Sequence, residues 1–271
     1  MAPPGALFLD HVGHLVPDLE AASRVLDDLG FFATPVSYHQ PAQGTANRTV
    51  MLEEGYLEIL TAVNDAPNAR RVRDWMKRYD GVHLVAFGTP AAAEDRVRLA
   101  AHGFEPDPLV ELRRKTDIGE VGFRVVYVPP PKMPECRAQF CEHLTPESVW
   151  SDYFERHTNT AHGLTAVHLV ADDPVAVAAR WAEFAGVLPA RDKDSVVLKL
   201  ARGVVEISTR EHLAGFIENV PPAPGVAAIG LRFADPEKFS SLCRKKGMQV
   251  KKSSRGQCVS LPPALGGSWL F

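Results

Sequence analysis

Histidine and glutamate each recur at matching places along this chain. His11, His83 and His168 each sit at or near the start of a short apolar stretch, and Ala228 stands at the aligned point of a fourth. Glu58 in YLEIL, Glu142 in FCEHL and Glu206 in VVEIS lie inside apolar runs; the fourth copy offers only Trp269-Leu270-Phe271 there. A carboxylate among apolar neighbours on a strand is costly unless it is solvated or paired. Strand alternation puts Tyr56, Glu58 and Leu60 on one face and Leu57 and Ile59 on the other. Both faces carry apolar side chains, so Glu58 calls for a partner. A divalent ion would stabilise it, and imidazole with carboxylate suits Zn, Ni, Fe or Mn without choosing among them.

For each histidine taken alone, the plainer reading is a packed side chain. Recurrence is what makes the group a candidate. His14 is out of phase with His11 and reads as packed. The pair His168 and Glu206 lacks partners from the fourth copy and reads as structural. His143 faces away from its neighbour Glu142, and Cys141 reads as a small buried hydrophobe. His39, His102, His157, His162 and His212 fall in expected loops, helix ends or linkers and read as incidental.

Residues of this kind need strands to carry them. Four segments share one pattern, a short apolar strand, a turn rich in Asp or Pro, and an amphipathic helix: HVGHLVPDLEAASRVLDDLG, VHLVAFGTPAAAEDRVRLAAHG, VHLVADDPVAVAARWAEFAG and AIGLRFADPEKFSSLCRKKG. The Asp or Pro suits a helix N-cap or first turn, and Gly30, Gly103, Gly186 and Gly247 suit left-handed C-caps. Strand-like stretches follow each helix: FFATPVSYH, RTVMLEE and YLEILTAV; then EVGFRVVYV and AQFCEHL; then SVVLKLA and GVVEIST; then QCVSL and SWLF. Each unit therefore reads β-α-β-β-β. One such sheet cannot cover its own edges, and pairing two units solves this. The expectation is an α+β fold of four βαβββ modules paired into two barrels, over residues 1–150 and 160–271. A helix is expected around Arg70–Tyr79, and a short one beginning near Thr145 and Glu147 in the linker between barrels.

Composition narrows the function classes. The 271 residues are 45% hydrophobic and 23% charged with a net charge of −3, which suits a globular protein and gives no footprint for nucleic acid or an anionic membrane. The four cysteines show no CxxC spacing. No signal peptide and no long apolar run is seen, so a cytoplasmic location is expected. A small-molecule substrate is the expected partner, with homodimer formation left open. No GxSxG, P-loop or GxGxxG motif follows a strand.

The stretches LDHVGHLVPDLEAASRVLDDLGF and GTANRTVMLEEGYLEIL, with QFCEHLTPESVW, resemble the glyoxalase-like branch of the vicinal oxygen chelate superfamily. That group holds glyoxalase I, extradiol dioxygenases and bleomycin-resistance proteins. The resemblance implies two barrels of paired modules and a four-ligand metal set, His11, Glu58, His83 and Glu142. It further implies a Lewis-acid enzyme acting on neighbouring substrate oxygens, with Glu142 or Glu58 as base, and a degenerate C-terminal barrel. Asn47 and Arg48 would either bind the substrate's polar end or simply form a hairpin turn. Two alternatives remain: an Fe(II) extradiol dioxygenase, and a metal-free binding protein of the resistance type. The extradiol pattern expects His, His and Glu in the C-terminal barrel, which here has His168 but neither a second His nor a terminal Glu.

Overall fold

Short apolar strands that alternate with glycine turns and capped helices build two sheets of the same design. The computed structural model describes residues 7–116, 119–150, 152 and 156–271. The first module contains β1 (Phe8–Leu15), α1 (Leu19–Asp28), β2 (Ser37–Tyr38), β3 (Thr45–Met51) and β4 (Tyr56–Ala62), followed by α2 (Pro67–Met76). The second contains β5 (Gly81–Gly88), α3 (Ala92–Ala101), β6 (Val110–Thr116), β7 (Gly119–Tyr127) and β8 (Arg137–His143), with α4 (Pro146–Val149) after it. The third has β9 (Ala161–Val170), α5 (Pro174–Ala185), β10 (Pro189–Asp192), β11 (Ser195–Lys199) and β12 (Val204–Ser208), then α6 (Arg210–Ala214). The fourth has β13 (Gly225–Phe233), α7 (Pro236–Lys245), β14 (Val250–Ser253), β15 (Gly256–Ser260) and β16 (Ser268–Leu270).

The strand orders are β2-β3-β4-β1-β5-β8-β7-β6 and β10-β11-β12-β9-β13-β16-β15-β14. The two orders are identical in plan, so four equivalent modules pair into two sheets, the expected α+β architecture. Strands β6 and β14 complete the second and fourth modules; both are strongly basic (VELRRKT, VKKS) and carry little apolar signal. In the third and fourth modules Asp173 and Asp235 cap the helices, as Asp18 does in the first.

One face of each sheet is packed under helices. Leu9, Val12, Leu57, Ile59, Val85, Phe87, Ala138 and Phe140 of the first sheet join Leu26, Leu99, Trp181, Val167, Ile229 and Trp269 in a single apolar core. That core spans both sheets, so the helix-covered faces of the two barrels share one interior. The opposite face of the first sheet carries polar side chains together with two smaller apolar clusters. Among the described residues no helix is long and apolar enough to cross a membrane.

Candidate functional site

The polar face of the first sheet is set by register. His11 lies beside Tyr56 and Gly13 beside Glu58 in the parallel β1–β4 pair; Ala86 lies beside Gln139 and Gly88 beside Cys141 in β5–β8. Alternation then places His11, Tyr56, Glu58, Gln139, Cys141 and His143 on one side, opposite the core residues between them. Asn47, two strands from β1, joins them through its bond to Glu58.

A bulge adds Asp10 to this face. Leu9 pairs with Phe87 and His11 with Ala86, which leaves Asp10 as the extra residue on β1. Asp10 is fully buried, with Oδ2 2.6 Å from His11 Nδ1 and Oδ1 2.8 Å from His143 Nε2. Burial alone would raise its pKa, but the two imidazoles outweigh burial and hold it well below the usual carboxylate range. An ionised Asp10 accepts both N–H groups and so fixes both tautomers. His11 keeps its Nε2 lone pair, and His143 keeps Nδ1, a buried atom with no hydrogen-bond partner. The His11 ring stacks on Tyr56 at 4.3 Å and the His143 ring on Trp150 at 5.4 Å.

Donor atoms of Asp10, Cys141 and His143 lie within 4.8 Å of one another. Within this triplet both Asp10 oxygens already accept imidazole N–H groups, while His143 Nδ1 has no partner. Burial pushes the Cys141 thiol well up.

Glu58 is the second carboxylate of the face. Its Oε1 accepts from Asn47 Nδ2 at 2.6 Å. Burial opposes ionisation, but His11, His39 and the Asn47 bond outweigh it and lower the Glu58 pKa. Arg114, from β6, crosses to the first module: its Nη1 lies 3.0 Å from Ser37 Oγ, 3.3 Å from His39 Nε2 and 3.5 Å from Asn47 Oδ1. Arg137 lies over the Tyr127 ring at 4.7 Å and adds positive charge near Glu58. An apolar wall of Met51, Tyr56, Val121 and Val149 with Phe32, Phe123 and Trp150 flanks the group.

Of the residues expected from sequence, the structure brings His11, Glu58 and Asn47 together. The others lie elsewhere. His83 is the extra residue of a second bulge, between the pairs Gly13–Leu84 and His14–Val82. Its Nε2 binds the Tyr79 carbonyl at 2.7 Å and its ring stacks on Tyr79 at 4.0 Å. Glu142 faces the helix side: Oε2 accepts from the Ala92 amide at 3.3 Å, and Arg124 lies 3.5 Å from Oε1. It caps α3, whose N-cap residue Ala91 has no side-chain acceptor. Arg48 also turns away, binding Thr34 O, Ser23 Oγ and Ala33 O at 2.6, 2.7 and 3.1 Å and tying α1 to its sheet.

The pseudo-symmetry of β1 and β5 names the true counterparts. The pairs His11–Ala86 and Gly13–Leu84 exchange under the module two-fold, so Leu84 stands where His11 stands. By the same mapping Glu58, beside Gly13, corresponds to Gln139, beside Ala86. Gln139 Oε1 is buried without a partner. Asp10, Arg114, Arg137 and Gln139 were not singled out from sequence. Alternation within RAQFCEH would have placed Gln139 opposite Glu142; the bulge that turns Asp10 inward has no sequence mark.

In the C-terminal barrel His168 pairs directly with Glu206, Nδ1 to Oε2 at 3.4 Å, and Arg255 binds the same oxygen at 2.6 Å. Burial is outweighed by His168 and Arg255, which bring Glu206 down to about 2. A cavity of about 530 Å³ beside His168 and Arg255, and one of about 510 Å³ beside Tyr79 and Arg210, both lie away from His11 and Glu58.

The glyoxalase-like domain family matches residues 9–185, more than half the chain. The chain belongs to this family, within the vicinal oxygen chelate superfamily. No curated protein matches the sequence. Among solved structures, this glyoxalase-like chain resembles a hypothetical protein from Staphylococcus aureus, with 13% identity, TM-score 0.68, and 97% of this chain and 98% of that one covered. It also resembles the Mn(II)-bound glyoxalase from Novosphingobium aromaticivorans, at 9% identity and TM-score 0.61, covering 98% and 81%. A catechol 2,3-dioxygenase matches at 11% identity and TM-score 0.60, covering 98% and 92%. At these identities the likeness concerns the fold.

Proposed function

We infer that this protein is a divalent-metal-dependent enzyme of the lyase or isomerase type, acting on a small substrate with two neighbouring oxygens. The observation that carries the reading is the donor set on one face of the first sheet. His11 has its tautomer fixed by Asp10, Glu58 is held ionised, and the buried Gln139 Oε1 has no partner. An orphaned buried carbonyl oxygen on the same sheet face as a histidine and a carboxylate fits a hard or borderline divalent cation. His11, Glu58 and Gln139 would hold it, while Leu84 at the fourth equivalent position supplies no donor. When bound, the ion would act as a Lewis acid towards a substrate oxyanion.

The chain's own groups then divide the remaining work. Asp10 orients His11 through Nδ1, as carboxylates commonly do for metal-binding imidazoles. His143 gives its Nε2–H to Asp10 and keeps a lone pair on Nδ1 that can accept a proton. Tyr56, Phe123 and Trp150 keep water from the face. An Fe(II) extradiol set is less well supported, because the histidine expected from the second module, His83, turns to the Tyr79 carbonyl. The leucine at position 84 favours, as a second reading, a metal-free binder of a small molecule.

Metal analysis of protein purified without chelators separates these readings. Wild type and His83→Ala should retain about one divalent ion per chain, and His11→Ala and Glu58→Gln should lose it. Equal and negligible metal in wild type and His11→Ala would leave the binder reading in its place.

A further inference from the structure

Two guanidinium groups reach the Glu58 face without an acidic partner. Arg137 projects from β8 on the same side as Gln139, Cys141 and His143. Its charge is felt by Glu58, His39 and Tyr127. Arg114 comes in from β6 and, among the described residues, hydrogen-bonds to Ser37, His39 and Asn47, while its Nε is buried without a partner. Among the described residues no carboxylate comes within 4.0 Å of either guanidinium. Arg73, Arg98, Arg113, Arg124, Arg180, Arg232 and Arg255 by contrast each have an acidic partner. Glu58, which feels the Arg137 charge, already accepts from Asn47 through Oε1.

A half-buried arginine with no counter-ion beside a candidate ligand face is a ready acceptor for a planar oxyanion. We propose that the substrate of this face carries a carboxylate, received by the Arg137 guanidinium with Arg114 beside it. The inference rests on the reading of this face as the substrate site, and names the chemical class of what it takes. Arg137 acts here as a specificity-determining residue. Its planar fork matches a carboxylate in two parallel hydrogen bonds, and the Tyr127 ring keeps it in place.

The test compares two probes that differ only in the anionic group, 3-phenyllactate and 3-phenylpropane-1,2-diol. Binding is measured by calorimetry to the full chain, both metal-loaded and after chelation. Wild type should prefer phenyllactate over the diol by at least about tenfold, and Arg137→Met should abolish that preference while leaving diol affinity unchanged. Arg137→Lys should restore part of it, because the charge remains and the fork is lost. The preference should survive chelation, which separates this inference from the metal reading. A wild type that purifies without metal and takes none up, yet keeps an Arg137-dependent preference, would sink the metal reading alone. Equal affinity for the two probes, no binding of phenyllactate, or equal weakening of both probes in Arg137→Met would overturn the carboxylate proposal. A circular dichroism melt of each variant shows whether the fold is kept.

Discussion

Asp10 accepts the Nδ1–H of His11 at 2.6 Å from a fully buried position, and it does so only because a bulge turns it to the same face as its neighbour. Replacing the carboxylate with an amide keeps the shape and removes the charge. Asp10→Asn should lower the affinity for a divalent ion by about 10- to 100-fold, the usual effect of losing an outer carboxylate behind a ligating imidazole. It should also cost about 1–3 kcal/mol of stability, since the amide can accept only one of the two imidazole N–H groups without turning N–H against N–H. Metal titration with a competing chelator, alongside denaturant unfolding, reads both effects. Unchanged metal affinity would remove Asp10 from the site.

Glu58 and Glu142 look alike in sequence and are separated by the sheet. Glu58→Gln should lose bound metal while Glu142→Gln keeps it. The Glu142 change should instead cost about 1 kcal/mol, because the carboxylate caps the Ala92 amide at the start of α3. Metal content and urea midpoints of the two variants should therefore move in opposite patterns. Loss of metal in Glu142→Gln would return that residue to the ligand set.

Much of the fold was legible because each module repeats the same strand, capped turn and helix, so one weak pattern is confirmed by its copies. His11 and Glu58 were legible for the same reason, as ionisable residues inside apolar strands. The second half of the site was not. His83 looks like the counterpart of His11 only when residues are counted along the chain; the bulges at Asp10 and His83 shift the register, so that Leu84 pairs with Gly13 as Ala86 pairs with His11. A bulge depends on how two distant strands meet, and a single strand's composition carries no trace of it. Strand β6 was missed for another reason: its LRRK core is polar because it lies at a sheet edge, where charge is the usual protection.

Glu135 shows how the two barrels hold each other. It is fully buried before β8, binds the Arg180 guanidinium, and accepts from Trp181 Nε1 at 3.0 Å, both partners being on α5 of the other barrel. Glu135→Ala would strand a part-exposed guanidinium and a buried indole N–H. A loss of about 2–3 kcal/mol is expected by chemical denaturation, reduced from the fully buried case because Arg180 is about one-third exposed. Glu135→Gln should recover part of this through the Trp181 bond. A change within about 0.5 kcal/mol would mean the contact contributes little.

His14 makes stability depend on mild acid. It is fully buried, its Nε2 accepts from Trp269 Nε1 at 3.2 Å, and Nδ1 lies 3.1 Å from the Leu265 carbonyl, so the neutral Nδ1–H tautomer satisfies both partners. Protonating Nε2 would set two N–H groups against each other. Burial is the main cause that brings its pKa down from 6.5 to about 4, and His83 is lowered to about 4 for the same reason. The unfolded chain binds these protons more readily than the folded one. Stability is therefore full above pH 6.5, falls as pH drops towards 4, and levels off below that. The full effect of one such histidine is on the order of 3 kcal/mol. Urea unfolding followed from pH 7.5 to 4 should show the decline, and His14→Gln should be less stable at pH 7.5 but lose less on acidification. A wild-type profile flat across this window would mean that His14 accepts a proton in place.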